Sequence, residues 1–167
     1  KDLLLITPPF TQLNTPYPAT AYLKGFLNTK NISSYQIDLG IEVILEIFSK
    51  KGVTEIFNVK PKNLSENAHR IFALREEYIK TIDEVIAFLQ NKKPTLARQI
   101  CSMNFLPEAS RFNQLDDMEY AFGNMGLQDK AKHLATLYLE DLSDYIIENI
   151  DENFGFSRYA ERLGRSA

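Results

Sequence analysis

The chain predicts an α/β fold: a short parallel βαβ sheet, Rossmann-like and incomplete, joined to a large, mostly helical addition. Three observations carry this. Leu3 to Thr7 is an apolar run stopped by Pro8-Pro9, Ala19 to Thr29 has helical spacing, and Ser34 to Leu39 reads as a second strand ending at Asp38. Strand, crossover helix and strand within about 40 residues make a βαβ unit. The rest of the 167 residues is dominated by helical periodicity.

Between the first strand and its helix lies a loop, Phe10 to Pro18, and four prolines fall between Pro8 and Pro18. The helix places Tyr22, Leu23, Phe26 and Leu27 on one side. After Asp38 and Gly40, the residues Ile41, Ile44, Leu45 and Phe48 recur at helical spacing, and Lys50-Lys51-Gly52 closes that segment. Val53 to Val59 fits either a strand or a short helix. The longest predicted helix is Ser65 to Gln90, capped by Asn63 or Ser65. Its stripe is Ala68, Ile71, Phe72, Tyr78, Ile79, Ile82, Val85, Ile86 and Leu89, and Asn91-Lys92-Lys93-Pro94 ends it. Shorter helical pieces follow at Thr95 to Ser102, Pro107 to Phe112 and Leu115 to Phe122. A second long helix runs from Asp129 to Ile150 and buries Leu134, Tyr138, Leu142, Tyr145 and Ile146. Phe154 to Leu163 is expected to form a last short helix. The division expected is residues 1–40 as the βαβ half and 41–167 as a helical insertion or extension of the same domain.

Composition narrows the function classes. Net charge is −3 with no clustered basic face, which gives no support for nucleic-acid binding. No apolar run reaches the roughly 18 residues a membrane span needs. One cysteine, Cys101, permits no intrachain disulfide and suggests a reducing, cytoplasmic setting. The chain opens at Lys1 directly on a strand and stops at Ala167 just after a helical pattern, so a piece of a longer protein is expected.

The chemistry-bearing positions cluster at the carboxyl ends of the two strands, where α/β sheets bind ligands. The loop offers Pro9, Phe10, Thr11, Gln12, Asn14 and Tyr17: a proline-stiffened surface with amide donors and acceptors for a large, amide-rich cofactor, or simply a turn of the chain. Asp38 either binds a hydroxyl group of a ligand or caps the helix that follows it. Neither G-x-G-x-x-G nor a P-loop follows the first strand, and Pro8-Pro9 removes two backbone N–H groups a phosphate would need. Glu66-Asn67-Ala68-His69 matches E-x-x-H, but Lys130 stands three residues before His133, so there is no second copy and His69 is read as a surface histidine. Cys101 is read as a small buried hydrophobe. Arg158, Arg162 and Arg165 share one helical face and are read as solvated.

Read together, Leu3-Leu4-Leu5-Ile6-Thr7-Pro8-Pro9-Phe10, then Tyr17-Pro18-Ala19-Thr20-Ala21-Tyr22-Leu23-Lys24-Gly25-Phe26-Leu27, then Tyr35-Gln36-Ile37-Asp38-Leu39 resembles the N-terminal cobalamin-binding domain of radical S-adenosylmethionine proteins. In that family an apolar strand ends in Pro-Pro, a proline-led helix carries a Tyr-Leu pair, and a short strand ends in Asp. The resemblance covers about a quarter of the chain. It implies cobalamin as cofactor, held by the loop and Asp38. S-adenosylmethionine and a [4Fe-4S] cluster would belong to a downstream catalytic domain of the same polypeptide, which would be the partner. The family's cluster motif is C-x3-C-x2-C, which one cysteine cannot supply, so this chain alone is not expected to be an enzyme. Nor is there an Asp-x-His-x-x-Gly loop: Leu39-Gly40 follows Asp38 without histidine. The competing reading is a mainly helical interaction module on a βαβ scaffold that binds nothing.

Overall fold

The computed structural model describes residues 2–9, 18–61, 63–102, 104–114 and 126–155. It is a mixed α/β structure, mostly helical, with a two-stranded parallel sheet. The chain forms two compact units, Lys1–Glu46 and Ile47–Ala167.

In the first unit β1 (Leu3–Thr7), α1 (Pro18–Thr29) and β2 (Ser34–Asp38) follow one another, and α2 (Leu39–Ile47) starts directly after Asp38. The strands pair in parallel from Leu3 opposite Ser34 to Thr7 opposite Asp38. Side chains alternate along a strand, so Leu3, Leu5, Thr7, Ser34, Gln36 and Asp38 share one face. Gln36 Nε2 donates to Thr20 Oγ1 at 2.8 Å, which puts α1 over that polar face. The opposite face is Leu4, Ile6, Tyr35 and Ile37; Leu4 is 59 % and Tyr35 61 % exposed. The helix shows the same inversion. On the side that holds Tyr22, Leu23, Phe26 and Leu27, the first three are exposed and Leu27 is half-buried, and Thr20 is the helix's buried residue. A parallel sheet normally has both faces covered; here the apolar surfaces point outward.

The second unit packs α3 (Lys50–Asn58), α4 (Glu66–Ala73), α5 (Arg75–Leu89), α6 (Ala97–Ile100) and α7 (Leu127–Asn149), with 3-10 turns at Pro94–Leu96 and Ser110–Gln114. Lys50-Lys51-Gly52 opens a helix instead of closing one. Ser49 Oγ accepts from Gly52 N–H at 3.0 Å, and Asp83 of α5 accepts from Lys50 N–H at 2.8 Å. Both acceptors satisfy donors that the start of a helix leaves unpaired. Val53 to Val59, open between strand and helix, therefore resolves as helix through Asn58.

The long helix expected over Ser65 to Gln90 breaks at Leu74, whose φ of −90° and ψ of 11° leave the α region. Leu74 N–H is shared between the carbonyls of Arg70 and Ile71, and Arg75 Nη1 donates to Phe72 O at 3.2 Å. No glycine or proline announces this break. Its N-terminal cap is Ser65, with Oγ accepting from Ala68 N–H at 3.2 Å and donating to Glu148 Oε2 at 2.7 Å. Ser65 N–H also donates to Glu148 Oε1. Replacing Ser65 with alanine removes both side-chain bonds, and the free energy of unfolding in urea should fall by about 1 kcal/mol.

α7 is the hub. Ala131, Leu134, Ala135, Tyr138, Leu142, Tyr145 and Ile146 are buried, and α4, α5 and α6 pack on it. Phe57 stands 5.1 Å from the Tyr145 ring and 6.2 Å from Phe72, and Tyr78 stands 5.0 Å from Tyr138. The buried phenols are satisfied: Tyr138 Oη donates to Tyr78 O at 3.0 Å and lies 3.0 Å from Thr81 Oγ1. Burial pushes both the Tyr78 and Tyr138 hydroxyls far above the ordinary phenol range, so both stay protonated.

Candidate functional site

Parallel pairing brings the carboxyl ends of β1 and β2 side by side, with Thr7 registered against Asp38. Pro8 and Pro9 leave β1 exposed at this edge. Asp38 Oδ1 accepts from Ile41 N–H at 3.2 Å, so the carboxylate caps α2, the second of the two roles its position allowed. Thr7 is 1 % exposed, and its Oγ1 has no hydrogen-bond partner among the described residues. Of the residues expected to contact a cofactor, the structure brings Pro9 and Asp38 to this edge. Phe10, Thr11, Gln12, Asn14 and Tyr17 lie outside the described residues, as do Arg158, Arg162 and Arg165 and the helix expected over Leu115 to Phe122.

The electrostatics of the edge disfavour phosphate. The α2 N-terminus carries its own carboxylate in Asp38 and a second acid in its first turn, Glu42. An incoming anion would meet like charge where a phosphate site offers bare N–H groups. Amide or hydroxyl groups suit the Asp38 carboxylate better. No histidine stands beside Asp38, which Leu39 and Gly40 follow. Among the described residues no group of three or more His, Cys, Asp or Glu is placed to hold a metal ion. His69 is exposed on α4, its Nδ1 3.0 Å from Ser65 O. Cys101 is half-buried, with Sγ 3.7 Å from Leu127 O; desolvation pushes its thiol above the usual range, which leaves it a poor nucleophile.

The second unit holds a polar cluster that sequence reasoning did not single out. Asp141 is fully buried on α7. It accepts from Ala109 N–H at 3.0 Å and from Arg111 N–H at 3.2 Å, and Tyr78 Oη lies 3.5 Å from its Oδ2. Arg111 clamps Asp144 through Nε at 2.7 Å and Nη2 at 2.6 Å, and its Nη1 is 3.6 Å from Glu140. That bidentate bond to Asp144 raises the Arg111 guanidinium above its ordinary value. A signal existed: Asp141 falls three residues after Tyr138 on the face that also holds Leu134, Leu142 and Tyr145. An acid inside a buried stripe needs specific partners.

The chain matches no protein-family model, no curated protein and no solved structure. No helix among the described residues is long and apolar enough to cross a membrane.

Proposed function

We propose that this chain is the N-terminal, cobalamin-binding-like portion of a radical S-adenosylmethionine enzyme, a Rossmann-like half-domain. It seats cobalamin or docks the iron–sulfur catalytic domain that follows it in the same polypeptide. The observation that supports this reading is the parallel βαβ unit with outward apolar surfaces. Its strand ends pair where α/β sheets bind ligands. Leu4, Ile6 and Tyr35 on the sheet, and Tyr22, Leu23 and Phe26 on α1, are apolar surface of the kind a neighbouring layer covers.

A second reading draws on a different observation. The helical unit closes its own core around α7 and carries the buried polar cluster, which is what a self-standing interaction module requires.

Titration of the full-length parent with hydroxocobalamin, followed by visible absorbance, separates the two. Under the first reading the spectrum shifts saturably, and Asp38→Asn, which keeps an acceptor for the Ile41 N–H, weakens binding by about tenfold, the equivalent of one lost hydrogen bond to a charged group. A parent whose addition leaves the corrinoid spectrum unchanged supports the interaction module instead.

A further inference from the structure

The two strands of the sheet guard their outer edges differently. Leu3 N–H donates to Ser33 O at 3.0 Å, and the register runs unbroken from Leu3 opposite Ser34 to Thr7 opposite Asp38. Backbone groups along a parallel ladder alternate in direction, so Leu3, Leu5 and Thr7 turn theirs toward β2. Leu4 and Ile6 turn their N–H and C=O groups to the free side of β1, where they meet no hydrogen-bond partner among the described residues. Leu4 is 59 % and Ile6 49 % exposed. The outer edge of β2 is blunted, because polar Ser34, Gln36 and Asp38 stand along it and the strand ends on a charge. β1 has none of those devices. No charge and no proline falls within Leu3–Thr7, no bulge interrupts the register, and Leu3 to Ile6 are apolar on both faces.

We propose that the free edge of β1 is a self-association edge: two copies of this chain pair β1 antiparallel across a two-fold axis and close a sheet in the order β2–β1–β1–β2. A two-fold pair uses the same patch on both copies, and strands related by an axis perpendicular to the sheet run antiparallel. With the axis at Leu5, Leu4 of each copy stands opposite Ile6 of the other. The outward N–H and C=O groups of both residues then all find partners. Pro8 has no N–H, so the ladder ends there. Both β1 strands become central, which suits a strand that is apolar on both faces, and the blunted β2 strands become the new edges.

Charge selects a second copy as the occupant. Leu3–Thr7 brings no charge to the pairing, so no like charges stand opposite each other, and Leu4 meets Ile6 of the second copy as an apolar cross-strand pair. The apolar side of α1 is less suited to symmetric pairing: Lys24 and Lys30 accompany Tyr22 and Phe26, and a two-fold contact there would bring lysines together. A sheet needs three or more strands for independent stability, and pairing supplies them to a unit that has two. The strands are only five residues long, so the contact falls below the roughly 1,200 Å² of stable complexes. The dimer is therefore weak, with a dissociation constant on the order of 100 µM.

Sedimentation equilibrium of the full chain tests this. Between about 10 µM and about 1 mM the average mass should rise from that of one chain toward that of two. Leu4→Pro removes an N–H that faces away from β2, so the β1–β2 ladder keeps its bonds while the pairing loses one from each copy. The dissociation constant should then rise by at least about tenfold. Leu4→Val keeps the N–H and should leave it within about twofold. Hydrogen exchange of the unaltered chain gives a reading that needs no variant to fold. The Leu4 and Ile6 amides should gain protection as concentration rises, whereas the Gln36 amide, on the outer edge of β2, should not. A chain that stays monomeric to about 1 mM, association that Leu4→Pro leaves intact, or Leu4 and Ile6 amides indifferent to concentration overturns the proposal. So does a full-length parent that is monomeric with those two amides protected, because a strand of the parent then fills the edge; the cobalamin titration stands as a separate result.

Discussion

Truncating Leu142 to alanine should lower the unfolding free energy of the helical unit by about 3 kcal/mol. Leu142 is fully buried on α7, on the face it shares with Tyr138 and Tyr145. Removing three carbons there loses their transfer free energy and leaves a cavity that the ring contacts Phe57–Tyr145 and Tyr78–Tyr138 constrain from collapsing. In urea the midpoint should move down by about 1.5 M with little change in slope. The control is Leu23→Ala on α1. Leu23 is 51 % exposed, so its truncation should change stability by no more than about 0.5 kcal/mol. Equal effects of the two substitutions would mean that α7 is not the centre of the core.

That contrast bears on what could be read from the residues alone. The parallel βαβ opening was legible because Pro8-Pro9 and Asp38 punctuate two short runs around one helical pattern, and the strands sit where that pattern put them, within a residue. The buried face of α7 was legible too: Leu134, Tyr138, Leu142, Tyr145 and Ile146 are all buried. Periodicity failed where tertiary partners decide. Lys50-Lys51-Gly52 looked like a stop, but Asp83, 33 residues away, accepts the Lys50 N–H and makes it a start. Leu74 breaks a stripe whose apolar spacing runs straight through it. On α1 the apolar side and the sheet-facing side differ, because Gln36 of β2 reaches Thr20, and no single-helix pattern contains that bond. Of the candidate site, Asp38 was legible in position, and its capping bond could be anticipated from the helix after it. Asp141 was legible as an acid within a buried stripe, but its partners were not, because they come from a stretch with no periodicity and from α5.

Hydrogen exchange should also divide the chain sharply. The amides of β1 and β2 should show protection at least about a hundredfold lower than those of Leu134 to Ile146. The reason is structural: five residue pairs form the sheet, the Leu4–Ile6–Tyr35 face is exposed, and α1 meets the other face through polar side chains. A two-stranded sheet with so little burial is marginal in water. The α7 amides, by contrast, lie in a helix buried nearly all round and should exchange only through global opening. In the full-length parent a docked layer would bury Leu4, Ile6 and Tyr35, and the protection of β1 and β2 should rise toward that of α7. Replacing Ile6 and Tyr35 together with lysine should abolish that rise without altering the protection of α7, because both side chains point to the exposed face. A sheet already as protected as α7 in the chain alone would show that the unit needs no covering layer. That result would remove the physical reason for assigning it a docking role.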